Sequence, residues 1–137
     1  MANNYLQFSF QLDGSEWTPE ACAYLAGKID KLHEDLENGQ FVCSYQIEPT
    51  GIWLYGEESG DPDMLAKLIQ KTMRKFKMKR AIAFTWAETC SKMRTDEFCG
   101  GGVCVKPRSM LWMSGGMVHP AAQKFNQKLD QKEESES

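Results

Sequence analysis

The amino-acid sequence predicts an α+β domain in which helices cover an antiparallel sheet. Segments of two-residue alternation interleave with segments whose apolar residues recur every three or four positions, and both helical segments open with the same cap, proline and acid signature. Size agrees: 137 residues, 42% hydrophobic and 26% charged, can build one core without disulfide or metal staples. Residues 1–130 are read as a single domain. Residues 131–137, QKEESES, are too polar to pack and are expected to be a disordered acidic tail.

Each element has its own signal. In residues 5–12, Leu6, Phe8, Phe10 and Leu12 alternate with Tyr5, Gln7, Ser9 and Gln11, the pattern of a strand buried on one face. Thr18-Pro19-Glu20 then supplies an N-cap, a proline suited to the first helical turn and an acid at the positive helix end. Leu25, Ile29, Leu32 and Leu36 form the stripe of this helix, and Asn38-Gly39 marks its stop. Residues 41–48 and 52–57 are expected to pair as a hairpin around Pro49-Thr50-Gly51. Asp61-Pro62-Asp63 repeats the helix start, followed by Leu65, Leu68, Ile69, Thr72, Met73 and Phe76 on one stripe. In residues 81–87, Ile82, Phe84 and Trp86 oppose Ala81, Ala83, Thr85 and Ala87, as in a strand with one large and one small side. Residues 102–106 read as a fifth strand stopped by Pro107, and a short helix from Pro120 carries Phe125 and Leu129.

Strand, helix, strand, strand, helix, strand is the order of the ferredoxin-like β-α-β-β-α-β two-layer sandwich, here with an added fifth antiparallel strand and a C-terminal helix. Another two-layer packing of the same elements is the alternative. A fold of this kind does not name a function.

Composition removes several functions. A formal charge of −3 and pI near 5.4 give the whole chain no attraction for nucleic acid or anionic lipid, so any such binding needs a local patch. There is no apolar run long enough to span a bilayer, and MANNYLQFSF lacks the features of a signal peptide, so a cytoplasmic protein with no membrane partner is expected. The five cysteines, odd in number and irregularly spaced, fit free thiols. Nucleotide-binding fingerprints are missing, and the adjacent acids Asp96-Glu97 and Glu57-Glu58 suit a solvated loop better than an acid–base pair. No cofactor, metal or catalytic set is expected.

The segment from Thr85 to Gly102 holds more residues than a hairpin turn needs, and long loops often carry function. Its candidate binding residues are Trp86, Glu88, Thr89, Cys90, Ser91, Lys92, Arg94, Glu97 and Phe98, beside three glycines that permit close approach. The competing reading is a structural brace anchored by Trp86 and Phe98.

Residues 84–105, FTWAETCSKMRTDEFCGGGVCV, resemble the signature of a family of small uncharacterised bacteriophage and mobile-element proteins with a W-A-x-T-C-S-K-x-R-x-x-E-F-x-G-G core. Residues 57–62, EESGDP, resemble that family's middle segment, while Met93 and Cys99 stand where its pattern has proline and glycine. The resemblance implies a mobile-element origin and the host cytoplasm as location, and carries no established activity.

Other chemistries have weaker signals in the sequence. Cys90 as a nucleophile needs a base or a positive neighbour, for which Lys92, Arg94 or His119 are the candidates, while His33 sits at the edge of a helical stripe. Zinc on Cys90, Cys99, Cys104 and His119 is disfavoured by spacings of eight, four and fourteen residues. A single-stranded nucleic acid is the main alternative ligand, stacked on Tyr5, Trp53 and Tyr55 and held by Arg74, Lys75, Lys79 and Arg80 from a run of seven Lys/Arg between Lys67 and Arg80. Trp53, Tyr55, Met110, Trp112, Met113 and Met117 could instead form an apolar patch for another protein or a second copy of this chain. The expectation is a non-catalytic protein that binds a host or phage macromolecule, with inhibition of a host defence or regulatory protein as one outcome.

Overall fold

The computed structural model of the chain describes residues 4–34, 42–56, 60–90, 99–113 and 115–136. The elements are β1 (Asn4–Asp13), α1 (Pro19–Glu34), β2 (Ser44–Glu48), β3 (Gly51–Gly56), α2 (Pro62–Lys75), β4 (Ile82–Cys90), β5 (Cys99–Val105), β6 (Met110–Met113) and α3 (Gly115–Glu136). The two helix starts work as their sequence implies. Thr18 Oγ1 accepts from the Ala21 amide at 3.2 Å, and Asp61 Oδ1 accepts from Met64 N–H at 3.0 Å. Each satisfies an amide that has no partner inside the helix.

One six-stranded sheet runs in the order β2-β3-β1-β4-β5-β6, and all its pairings are antiparallel. Alternation along the strands gives the sheet two chemically different faces. Phe8, Leu12, Ile52, Leu54, Phe84, Val103 and Val105 point to α1 and α2, where Leu25, Ile29, Leu65, Ile69 and Met73 complete the main core. Stacked rings of Phe10 and Phe84, 4.4 Å apart and nearly parallel, join β1 to β4 within it.

The fold is α+β, but the sheet has six strands rather than the expected five. The strand that the sequence reading omitted, β6, follows a two-residue turn, Pro107-Arg108, closed by Lys106 N–H to Ser109 C=O at 2.8 Å. Pro-Arg carries none of the Asn-Gly or Asp-Gly chemistry by which such turns are recognised, and Met110-Leu111-Trp112-Met113 does not alternate in polarity. The C-terminal helix also begins earlier than Pro120, and its bounds take in residues expected to be a disordered tail. Gln, Lys and Glu are good helix formers, so polarity alone does not decide that stretch.

The helix α3 packs on the sheet face opposite α1 and α2. Ala81, Ala83 and Cys104 meet Ala121, Ala122 and Phe125 in a second, smaller core. The small side of β4 is what permits this close approach. Asn126 locks the register: its Oδ1 accepts Ala81 N–H at 2.8 Å and its Nδ2 donates to Ala81 C=O at 3.0 Å, as a neighbouring strand would. Among the described residues no helix is long and apolar enough to cross a membrane.

Candidate functional site: an open sheet face

Much of the Thr85–Gly102 segment is strand rather than loop. Thr85, Trp86, Ala87 and Glu88 pair with Gly102, Gly101, Gly100 and Cys99, while Glu88, Thr89 and Cys90 also pair with Leu6, Tyr5 and Asn4 of β1. The glycine run has a packing reason: a Cβ on Gly101 would lie 2.8 Å from Cζ2 of Trp86, so the indole occupies the space a side chain would need. Trp86 in turn contacts Phe84 and Trp112, with ring centroids 6.1 and 5.9 Å away. It is a half-buried brace between β4, β5 and β6 on the face covered by α1 and α2. Ser91, Lys92, Arg94, Glu97 and Phe98 lie outside the described residues.

Among the described residues, another surface presents exposed aromatic and polar groups. Because α3 covers β4 and β5, the part of the α3 face built by β1, β2 and β3 has no helix over it among the described residues. Trp53 and Tyr55 stand side by side there, two residues apart on β3, with ring centroids 4.2 Å apart and planes inclined by 28°. The Trp53 Nε1–H donates to Ser9 Oγ at 2.8 Å, which fixes the indole against β1. Cross-strand pairing brings Gln11 and Gln46 opposite Trp53, and Ser9 and Ser44 opposite Tyr55. Gln7, Ser9, Gln11 and Gln46 are exposed, and Asp13 and Glu48 close one end of the face opposite Gly51.

This face is a rigid aromatic platform framed by hydrogen-bonding side chains. Aromatic rings give large contact area at little conformational cost, and amide and hydroxyl neighbours supply direction. Every residue whose side chain β1, β2 and β3 contribute to it, as far as described, is aromatic, uncharged polar or acidic.

The basic run does not converge with these aromatics. Lys67, Lys71, Arg74 and Lys75 belong to α2, on the other side of the sheet, and Lys77, Lys79 and Arg80 follow that helix. Lys75 Nζ lies 5.3 Å from the Tyr24 ring centroid, Arg74 Nε donates to Pro107 C=O at 2.9 Å, and Arg80 pairs with Asp130 at 2.8 Å. Both carboxylate oxygens of Glu16 accept the amides of Lys79 and Arg80, at 2.7 and 3.0 Å. Tyr5 is placed on β1, and its side chain lies outside the described residues.

The expected apolar patch is likewise divided. Trp53 and Tyr55 are on β3, whereas Met110, Trp112 and Met113 are on β6, with β1, β4 and β5 in between. Met110 packs into the main core, while Trp112 and Met117 are exposed.

The thiols that can be placed are inert. Burial raises the pKa of Cys22 and Cys104 and pushes that of Cys43 up to about 12, so each stays protonated at neutral pH. Cys104 faces α3 inside the second core, and the side chains of Cys90 and Cys99 lie outside the described residues. His33 accepts the Val42 amide at its Nε2, a structural role, and His119 is exposed on α3.

No protein-family model, curated protein or solved structure matched the chain in the comparisons made. The sequence singled out Trp53 and Tyr55, but not Ser9, Gln11 and Gln46 as their neighbours. The signal was present in the alternation of three strands, and register converts it into one surface.

Proposed function

We propose that the chain is a non-catalytic binding module that holds another protein against the open sheet face. The observation that carries this reading is the Trp53–Tyr55 stack, fixed by Ser9 and bordered by Gln7, Gln11 and Gln46. Tyr and Trp are the residues that most often dominate protein interfaces. A nucleic acid would need cations beside the rings to meet its phosphates. Here Asp13 and Glu48 stand at the end of the face, Lys67, Lys71, Arg74 and Lys75 belong to α2 behind the sheet, and Arg80 is paired with Asp130 of α3. These placements favour a protein partner.

We read the order β2-β3-β1-β4, with α1 and α2 following β1 and β3, as a split β-α-β sandwich. We read β5, β6 and α3 as an extension that covers half of the second face and leaves the rest for a partner. The signature-like residues 84–105 support a bacteriophage or mobile-element origin, in which case the partner is a host or phage protein whose activity is blocked by occupation.

Affinity capture from nuclease-treated host lysate tests the proposal. Wild-type protein and a Lys75→Glu/Lys79→Glu variant should retain the same specific protein, and Trp53→Ala/Tyr55→Ala should lose it. Retention by the aromatic variant, or loss of the captured species on nuclease treatment, would refute the reading.

A further inference from the structure

A second surface, behind the sheet, has the chemistry of an anion site. The helix α2 ends in a Schellman motif: Met78 N–H bonds Met73 C=O at 2.8 Å, and Lys77 N–H reaches Arg74 C=O at 3.4 Å. The residue that must adopt the left-handed conformation in this motif is usually glycine, because a Cβ is strained there. This chain has Lys77, with φ of 53°, the one non-glycine residue of positive φ among the described residues. A strained side chain kept at a loop end points to a function for the group it carries.

Opposite this terminus stands the Pro107-Arg108 turn. Gln70 Nε2 donates to Lys106 C=O at 3.0 Å, and Arg74 Nε to Pro107 C=O at 2.9 Å, so α2 holds the turn in place. Between them lies an open cavity of about 480 Å3 lined by Met73, Arg74, Lys77, Met78, Pro107 and Arg108. Three of its lining residues are cationic and the other three are methionine or proline. Neither ion pair found among the described residues involves Arg74, Lys77 or Arg108. Offsetting the helix dipole accounts for a cation on the last turn of α2, yet Arg108 belongs to another element altogether.

We infer that this cleft binds a small organic phosphate ester of nucleotide size, its phosphoryl group held by Arg74, Lys77 and Arg108 and its ring resting on Met78 and Pro107. With Nε committed to Pro107, the Arg74 guanidinium keeps its two terminal nitrogens for a phosphate, and Arg108 adds a second planar fork. Cavities of this size suit ligands of that class. The site is separate from the open sheet face and does not depend on it.

Isothermal titration of the full chain with ADP, with inorganic phosphate and with a single-stranded oligonucleotide tests the inference. ADP should bind saturably, inorganic phosphate should compete with it, and binding should weaken with added salt. Arg108→Ala and Lys77→Gly should each weaken ADP binding by about tenfold or more, the effect of losing a charged hydrogen bond. Lys77→Gly should at the same time raise Tm by a few degrees, since glycine relieves the left-handed strain, so weaker binding cannot be attributed to misfolding. The inference is overturned if ADP and phosphate fail to bind at millimolar concentration, if neither substitution weakens binding, or if the oligonucleotide alone binds.

Discussion

Replacing Trp53 and Phe84 in turn by alanine separates a presented aromatic from a core aromatic. Phe84 is fully buried and lies against Phe8, Phe10 and Trp86, with centroid distances of 6.4, 4.4 and 6.1 Å. Its truncation opens a cavity that the surrounding strands and helices cannot fill, at about 3–5 kcal/mol. For a chain of this size that corresponds to a fall in Tm of about 10–25 °C. Trp53 loses much less. Its stack on Tyr55 contributes about 0.5–1.5 kcal/mol, and its exposed bond to Ser9 adds at most a similar amount. Trp53→Ala should therefore cost about 1–2 kcal/mol and leave a cooperative transition. Urea unfolding followed by far-UV circular dichroism, with the slope held constant, gives both values. Equal costs for the two substitutions would refute the assignment of Trp53 to an open face.

Three further outcomes follow from local geometry. The Cys43 thiol has a folded pKa of about 12 against an ordinary 9.0, so the native state favours the protonated form. That contribution is complete below about pH 9 and is lost progressively as pH rises towards about 12, up to about 4 kcal/mol in all; the stability gap between wild type and Cys43→Ala should narrow from about pH 8 to about pH 10.5 in urea titrations. Asp61→Ala removes the acceptor for Met64 N–H and should cost about 1 kcal/mol, with Asp61→Ser recovering most of it. Gly51→Ala places a methyl group against the Leu12 carbonyl oxygen, which belongs to the backbone and cannot rotate away, so faster hydrogen exchange is expected where β1 and β3 pair at Asp13 and Gly51.

The sequence was informative wherever one physical signal acted alone. Thr18-Pro19 and Asp61-Pro62 located both helix starts, since capping is a local interaction. Phe8, Leu12, Phe84 and the stripe of α2 went to the core as their periodicity implied. Reading failed where tertiary pairing overrode local chemistry. The polar residues Glu88, Thr89 and Cys90 resemble loop, yet they extend β4 because β1 offers all three a backbone partner and β5 offers Glu88 a second. The glycines suggested close approach of a partner, but Gly101 is required by an indole from the facing strand, a contact that spacing along the chain does not encode. The open face was half legible. Trp53 and Tyr55 stood out as aromatics, while their partners depended on cross-strand register and on α3 settling over β4 and β5 instead of β1 and β3.

The claim that the Trp53–Tyr55 face is the recognition surface is tested most directly by site-specific photocrosslinking in living host cells. A photoreactive residue at Gln46, exposed beside Trp53, should yield a discrete adduct that protease destroys and nuclease leaves intact. The same residue at Lys71, exposed on α2 behind the sheet, should yield none. An adduct from Lys71 alone, or a Gln46 adduct removed by nuclease, would contradict the account.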